Sequence, residues 1–290
     1  MLNYFEKTGI NVQMIKTFSS HGVNVQMDAD TLVPLLEQNG FEALVLEENT
    51  ILQPESDMED VLRQSKIQVP ICSAPIIPYT NDMDFRGEMS RLEKLSQHMM
   101  RLGINCLTTA IFPRSQTLEF NENFLLHVRC YRQILDMLNE YGIRLGIEFI
   151  GSKSWDKFYK FPFITTLNEV IDLYAAINKE NLTLVLDTFH LYASGFSFEM
   201  LPQSLDGICV CALHVNDARP GIKPKSQVDW ERYFPEETGV IDCRAFLNSM
   251  KITGFSGPVY VEAVSSSSAN MDGKQKIEKA GNCLTRLLER

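Results

Sequence analysis

The chain alternates eight short runs rich in Ile, Val, Leu and Cys with eight longer segments of helical periodicity. Continuous apolar runs of this kind are typical of parallel strands that are covered on both faces. The predicted strands are 11–17, 42–47, 67–73, 104–110, 144–149, 182–187, 208–215 and 258–263. The predicted helices are 29–39, 56–66, 83–102, 121–141, 166–179, 198–205, 242–252 and 272–289. Eight such units without a long linker predict an α/β chain folded as a single (β/α)₈ TIM-barrel domain over residues 1–290.

Glycines mark where several of these helices end. Gly40, Gly103, Gly142 and Gly254 each follow a predicted helix and precede a predicted strand, as glycines just past a helix commonly do. The segment after the first strand, Phe18-Ser-Ser-His-Gly22, lacks the GxGxxG pattern expected of a doubly wound, dinucleotide-binding sheet. The repeated β/α pattern therefore favours a closed barrel.

Composition excludes several classes of function. The net charge of −10 and the pI of about 5.1 argue against a nucleic-acid partner, because phosphate binding requires clustered Lys and Arg. No segment approaches the ~20 apolar residues of a membrane span, and the amino terminus does not resemble a signal peptide. The seven cysteines form no CxxC pair, which is typical of reduced thiols in a cytoplasmic protein. We therefore expect a cytoplasmic protein without nucleic-acid or membrane partners, and the sequence leaves homo-oligomer formation open.

Four potential metal ligands end four consecutive predicted strands: Glu148, Asp187, His214 and Glu262. Active sites of (β/α)₈ barrels lie at the carboxyl ends of the strands, so these side chains should meet at the barrel mouth. Each residue alone has an ordinary interpretation, such as a helix cap or an ion pair, but the four together indicate one site. Three carboxylates and one imidazole suit a single divalent ion of Mn, Co, Zn or Mg.

Candidate substrate-binding residues lie in the loops that follow these strands. His190 ends a DxxH segment that places an imidazole and a carboxylate on one loop. Asp217 follows His214 by three residues, and we expect it to orient a ring nitrogen of His214 or to contact substrate. Arg219 and Arg232 offer cations for hydroxyls or a carboxylate, and solvated loop charge is the alternative interpretation.

Four motifs resemble those of the xylose-isomerase-like TIM-barrel superfamily. They are GIEFIG, LVLDTFHLYASG, ALHVND and the final YVEA, all between residues 144 and 263. The segments Phe161-Pro-Phe-Ile164 and Asp229-Trp-Glu-Arg232 are most similar to the inosose-isomerase-like branch, which belongs to inositol catabolism. One departure is Pro235-Glu-Glu-Thr-Gly239, which is one residue longer than the Pro-Gly-x-Gly of that branch.

The resemblance implies roles for individual residues. Glu148, Asp187, His214 and Glu262 would be the metal ligands, while His190 and Arg232 would contact substrate or support the site. The AP endonucleases of the superfamily need additional histidines for three zinc ions, and this chain has only five histidines. We therefore do not expect a DNA-repair enzyme.

The expected chemistry is proton transfer next to a ketone. A divalent ion would polarise the carbonyl of a keto-sugar or cyclitol and stabilise the enediolate, with Glu148 and Glu262 as the catalytic acid and base. Returning the proton to the same carbon is epimerisation, and returning it to the adjacent carbon is isomerisation. Two alternatives use the same site: a dehydratase of a hydroxy-ketone and a non-catalytic, metal-dependent sugar binder.

Overall fold

The computed structural model describes residues 13–52, 57–265 and 268–289. Eight parallel strands form a closed barrel in which each strand pairs with its neighbours in sequence. The strands are β1 Met14–Ser19, β2 Ala43–Glu47, β3 Gln68–Ser73, β4 Cys106–Ile111, β5 Arg144–Phe149, β6 Leu182–Asp187, β7 Val210–Val215 and β8 Gly257–Val261. The predicted (β/α)₈ TIM-barrel fold is confirmed.

Helices surround the barrel and connect successive strands. They are α1 Ala29–Gln38, α2 Glu48–Leu52, α3 Met58–Arg63, α4 Asp82–Arg101, α5 Phe120–Glu140, α6 Leu167–Ile177, α7 Thr188–Ser194, α8 Leu201–Ser204, α9 Cys243–Ile252 and α10 Gly273–Leu288. None of the helices within the described ranges has the length and apolar character of a membrane span.

The predicted strands and helices agree with the structure, except at the ends of some elements and at the short helices. The first two residues of predicted strand 11–17 and the first residue of predicted helix 56–66 lie outside the described residues. The sequence did not predict α2 or α7, because helices of five and seven residues are too short to show helical periodicity. The predicted helix 198–205 is a 3₁₀ turn, Phe198–Met200, followed by α8.

Two layers of apolar side chains build the core. One layer lies between the barrel and its helices, and the other fills the barrel interior with Val45, Ile71, Cys106, Val185, Cys211, Ala212 and Tyr260. Side chains along a strand alternate between these two layers. The interior layer supports the residues two positions further along the same strands, such as Asp187, His214 and Glu262, which face the mouth.

A register shift between β6 and β7 helps to position His214 in the candidate site. Leu184 pairs with Val210, but the next residue, Val185, pairs with Ala212. The extra residue in β7 shifts its later side chains relative to the earlier ones, as a bulge does. His214 then stands beside Asp187 on one side and Tyr260 on the other.

Candidate metal centre

The four residues predicted as metal ligands lie together at the barrel mouth. Each of Glu148, Asp187, His214 and Glu262 offers one ligand atom, and these atoms all lie within 4.8 Å of one another. His214 Nδ1 is 3.1 Å from Glu148 Oε1, 3.0 Å from Glu262 Oε2 and 3.6 Å from Asp187 Oδ2. One imidazole nitrogen therefore faces three carboxylates.

These positions follow from the strands that carry the residues. Asp187 is the last residue of β6, while Glu148 and His214 are each the second-last residue of β5 and β7. Glu262 follows the last residue of β8 directly. The four side chains, which come from adjacent strands, therefore lie at nearly the same level along the barrel axis.

Asp187 is held by the start of α7. Its Oδ1 accepts backbone N–H bonds from Phe189 at 2.5 Å and His190 at 3.1 Å, so it caps this helix. The Asn216 side-chain amide lies 3.1 Å and 3.0 Å from the two Asp187 oxygens. In turn, Thr188 Oγ1 donates to Asn216 Oδ1 over 2.6 Å. Sequence reasoning did not single out Asn216, although it lies within the ALHVND motif.

Burial and charge act in opposite directions on the site's acid–base groups. Burial alone would lower the pKa of His214, but the surrounding carboxylates, led by Glu148, hold that pKa well above its usual value. Burial would raise the pKa of Glu262, but Arg232 and His214 hold it well below its usual value. Burial also opposes ionisation of Asp187, yet His190, His214 and Arg232 keep its pKa low. The site therefore favours the ionised forms of Glu262 and Asp187.

The donor set fits a divalent ion. Three carboxylates and an imidazole are ligands that Mn²⁺, Co²⁺ and Zn²⁺ accept. Among the described residues, Glu148 Oε1 is buried without a hydrogen-bond partner, although it lies 3.1 Å from His214 Nδ1. A buried carboxylate oxygen normally has a partner, and a bound cation would supply one.

His190 and Arg232 lie beside these ligands. Arg232 Nη1 is 2.9 Å from Glu262 Oε2 and 3.3 Å from Asp187 Oδ2. His190 is buried, and its Nε2 lies 3.9 Å from Asp229 Oδ1. Its Nδ1 has no hydrogen-bond partner in the part of the chain that the structure describes. Arg232 also contacts Asp229, through its Nη2 at 3.3 Å.

Asp217 and Arg219 are placed differently from the other candidates. Asp217 is fully buried, and its carboxylate accepts backbone N–H bonds from Ala218, Thr238, Gly239, Val240 and Ile241. These bonds hold the longer loop around Pro235–Gly239 rather than orienting His214. Arg219 is exposed. Its backbone N–H donates to Gln227 Oε1, and its carbonyl accepts from Gln227 Nε2.

Aromatic side chains from the loops after β4, β5 and β7 contact one another at the carboxyl end of the barrel. The Trp155 ring lies 5.2 Å from Phe112, 6.4 Å from Phe158 and 6.3 Å from Trp230, measured between centroids. The loop after β7 is tied to the loop after β5 because Asp229 N donates to Ser154 Oγ over 2.8 Å. Phe234, also in the loop after β7, is fully buried, and Lys279 Nζ lies 4.5 Å from the centroid of its ring.

The fold and site define a (β/α)₈ barrel with a candidate metal centre at its carboxyl end. The sequence matches the family described as Xylose isomerase-like TIM barrel over residues 31–287. The chain therefore belongs to this family, which confirms the resemblance seen in its motifs.

Individual relatives are distant. The chain is 25% identical over 187 residues to inosose isomerase from Bacillus subtilis (strain 168), an alignment that covers 63% of this chain and 64% of that protein. The match thus spans less than two thirds of the relative's length.

Solved structures of other proteins share the fold. The IolI protein with a bound zinc atom has a TM-score of 0.82 and 19% identity, covering 95% of this chain and 98% of that one. D-psicose 3-epimerase with D-tagatose, from Clostridium cellulolyticum H10, has a TM-score of 0.74 and 14% identity, covering 94% and 98%.

Proposed function

We propose that this protein is a divalent-metal-dependent isomerase or epimerase whose substrate is a keto-sugar or a cyclitol such as an inosose. The proposal rests above all on the convergence of Glu148 and Glu262 on His214 Nδ1, at 3.1 Å and 3.0 Å. The names of the curated relative and of the structural neighbour, inosose isomerase and D-psicose 3-epimerase, support the same reaction class. A divalent ion held by these residues with Asp187 would polarise the ketone and its neighbouring hydroxyl.

The two glutamates would move the proton. Glu148 and Glu262 come from β5 and from the end of β8, so they can approach a bound ring from two sides. One carboxylate would take the proton from the carbon next to the ketone, and the protonated partner would return one. Return to the same carbon from the other face inverts it, whereas return to the neighbouring carbon moves the carbonyl.

Other residues would bind the substrate and exclude water. Arg232 Nη1 lies beside Glu262, and His190 Nε2 lies beside Asp229. Both would donate hydrogen bonds to hydroxyl or developing oxyanion oxygens of the substrate. Trp155 and Trp230 would shield the intermediate from solvent by covering the mouth. Neither Asp217, which is occupied by backbone amides, nor the exposed Arg219 is part of this proposal.

The test begins with elemental analysis of wild type and His214→Ala. We expect about one divalent ion per wild-type chain and its loss from the variant. Wild type, Glu148→Gln and Glu262→Gln are then incubated with inososes and ketohexoses in D₂O, and α-proton exchange is followed by NMR. Glu199→Gln, which alters an exposed glutamate in the 3₁₀ turn, is the matched control.

The outcomes separate the candidate functions. Exchange by wild type and Glu199→Gln, with a loss of at least about 100-fold in both site variants, would support the proposal. Elimination of water without exchange into recovered substrate would instead identify a dehydratase. Tight sugar binding that survives Glu262→Gln, with neither exchange nor elimination, would identify a non-catalytic binder. Wild type that takes up no divalent ion after reloading would contradict the proposal.

A further inference from the structure

A buried tyrosine contacts the far side of the His214 ring. Tyr260 Oη lies 2.5 Å from His214 Nε2, and the two ring centroids are 4.3 Å apart. The residues are direct neighbours on β7 and β8, and both side chains are buried. Tyr260 belongs to the apolar layer inside the barrel, so its hydroxyl is a polar group placed in an otherwise apolar layer.

The two nitrogens of His214 therefore face different surroundings. Nδ1 faces Glu148, Glu262 and Asp187, whereas Nε2 faces Tyr260. Among the described residues, Tyr260 is the only hydrogen-bond partner of Nε2. A ring nitrogen that binds a metal carries no proton, and the other nitrogen of such a histidine then usually donates its N–H to a fixed acceptor. In this site the metal-binding nitrogen would be Nδ1, and the acceptor would be Tyr260 Oη.

We propose that Tyr260 is a positioning residue for the metal centre. By accepting the Nε2–H bond, its hydroxyl fixes the ring orientation and the tautomer of His214, so that the free electron pair of Nδ1 points at the ion. This inference rests on the metal site of the proposed function but goes beyond its ligands. The partner is a neutral phenol inside the barrel instead of the carboxylate, backbone carbonyl or water that usually fills this role.

The packing of the site explains why the hydroxyl matters. Without it, the Nε2–H tautomer would lose its acceptor inside an apolar layer, and an unpaired buried N–H is unfavourable. The alternative tautomer, with the proton on Nδ1, would keep a hydrogen bond to Glu262 but could not bind the ion. Removal of the Tyr260 hydroxyl should therefore weaken metal binding while the ring still fills the barrel interior.

The experiment compares Tyr260→Phe with Tyr131→Phe. Tyr131 is fully buried in α5, and its hydroxyl has no hydrogen-bond partner within residues 13–52, 57–265 and 268–289. The control therefore removes the same group away from the metal centre. Affinity for Co²⁺ is measured by competition with a chelator on metal-stripped protein, and the visible spectrum of bound Co²⁺ is recorded. We expect Tyr260→Phe to bind Co²⁺ about 10- to 100-fold more weakly, with an altered spectrum, and Tyr131→Phe to match wild type.

A measurement on wild type tests the tautomer directly. Proton–nitrogen NMR on histidine-labelled, zinc-loaded protein should show the His214 proton on Nε2. A proton on Nδ1, or Co²⁺ affinity of Tyr260→Phe within about twofold of wild type, would overturn the proposal and leave Tyr260 as a packing residue. Wild type that binds neither ion would overturn the metal site itself, so the two failures are distinguishable.

Discussion

Arg232 Nη1 donates a hydrogen bond to Glu262 Oε2 over 2.9 Å. The same nitrogen lies 3.3 Å from Asp187 Oδ2, and Arg232 Nε donates to the Asp229 backbone carbonyl over 2.8 Å. A fixed protein cation therefore neutralises part of the charge of two proposed metal ligands. This contact stabilises closely spaced carboxylates when no ion is bound, and it also opposes the arrival of a second cation.

Replacing Arg232 should change stability and metal affinity in opposite directions. In metal-stripped protein, Arg232→Gln leaves buried carboxylates without their cation, and we expect the free energy of unfolding to fall by about 3 kcal/mol. Metal affinity should rise about tenfold, because a positive charge next to the ion has been removed. Urea denaturation of stripped protein and chelator competition measure the two effects.

Arg219→Gln is the control for this prediction, since Arg219 is exposed on the same loop. Arg219→Gln should change neither the free energy of unfolding nor the metal affinity measurably, because isolated surface charges contribute little to stability. If Arg232→Gln weakened metal binding instead, Arg232 would be needed to orient the ligands rather than to compete with the ion.

Asp217 is predicted to stabilise the loop that carries this arginine. Its carboxylate accepts five backbone N–H bonds of 2.7–3.1 Å. Asp217→Ala would remove this shared acceptor, and the donors of Ala218 and Ile241 are buried. We expect a loss of at least about 3 kcal/mol in the free energy of unfolding. Guanidinium denaturation of the metal-loaded protein measures this loss.

Asp242→Asn is the control, because Asp242 caps α9 through one bond to Ala245 and asparagine caps equally well. A stable Asp217→Ala variant that lost only substrate affinity would restore the interpretation of Asp217 as a substrate contact.

His127 should make the protein sensitive to acid. It is buried on α5, where its ring packs 4.6 Å from Phe163 and its Nδ1 lies 2.8 Å from the Asn123 carbonyl. Burial lowers the pKa of His127 to about 4, below the ~6.5 expected in the unfolded chain. The unfolded state therefore binds the proton first as the pH falls. This histidine's contribution to stability is intact above pH ~6.5 and is lost as the pH falls towards 4, a loss of about 3 kcal/mol.

Denaturation of wild type and His127→Gln at several pH values isolates this effect. Wild type should lose about 3 kcal/mol more than the variant between pH 7.5 and 4, because glutamine does not titrate. His98→Gln, which changes a partly exposed histidine on α4, should follow wild type. Parallel curves for wild type and His127→Gln would mean that His127 remains accessible to protons in the folded state.

The strands could be predicted from sequence because buried parallel strands are continuous apolar runs, and their final residues identified the four-residue cluster. The partners of those residues could not be predicted in the same way. Tyr260 has the position of an ordinary core residue, and its contact with His214 depends on the register of β8 against β7. Arg219 and Arg232 lie on one loop and had the same predicted role. Only the folded loop shows that Arg219 is exposed, whereas the Arg232 side chain is 12% exposed and contacts Glu262.

Glu148 depends on a glycine two residues earlier in β5. A Cβ atom at Gly146 would lie 2.5 Å from Cys211 Sγ and 3.1 Å from the side chains of Thr108 and Val185. The space next to Gly146 is thus filled by the sulfur atom of Cys211, on β7. Gly146→Ala would overpack the barrel interior directly below the metal centre, and we expect a loss of about 2 kcal/mol in the free energy of unfolding.

A double-mutant cycle tests whether the sulfur is the cause. Cys211→Ala removes the closest atom, so Gly146→Ala should cost at least about 1 kcal/mol less in the Cys211→Ala background than in wild type. Chelator competition on the same four proteins shows whether overpacking displaces Glu148: metal affinity should fall in Gly146→Ala and recover in the double variant. If the losses of stability from Gly146→Ala and Cys211→Ala were additive, the backbone would be relaxing around the new methyl group. The position of Glu148 would then not depend on the packing between Gly146 and Cys211.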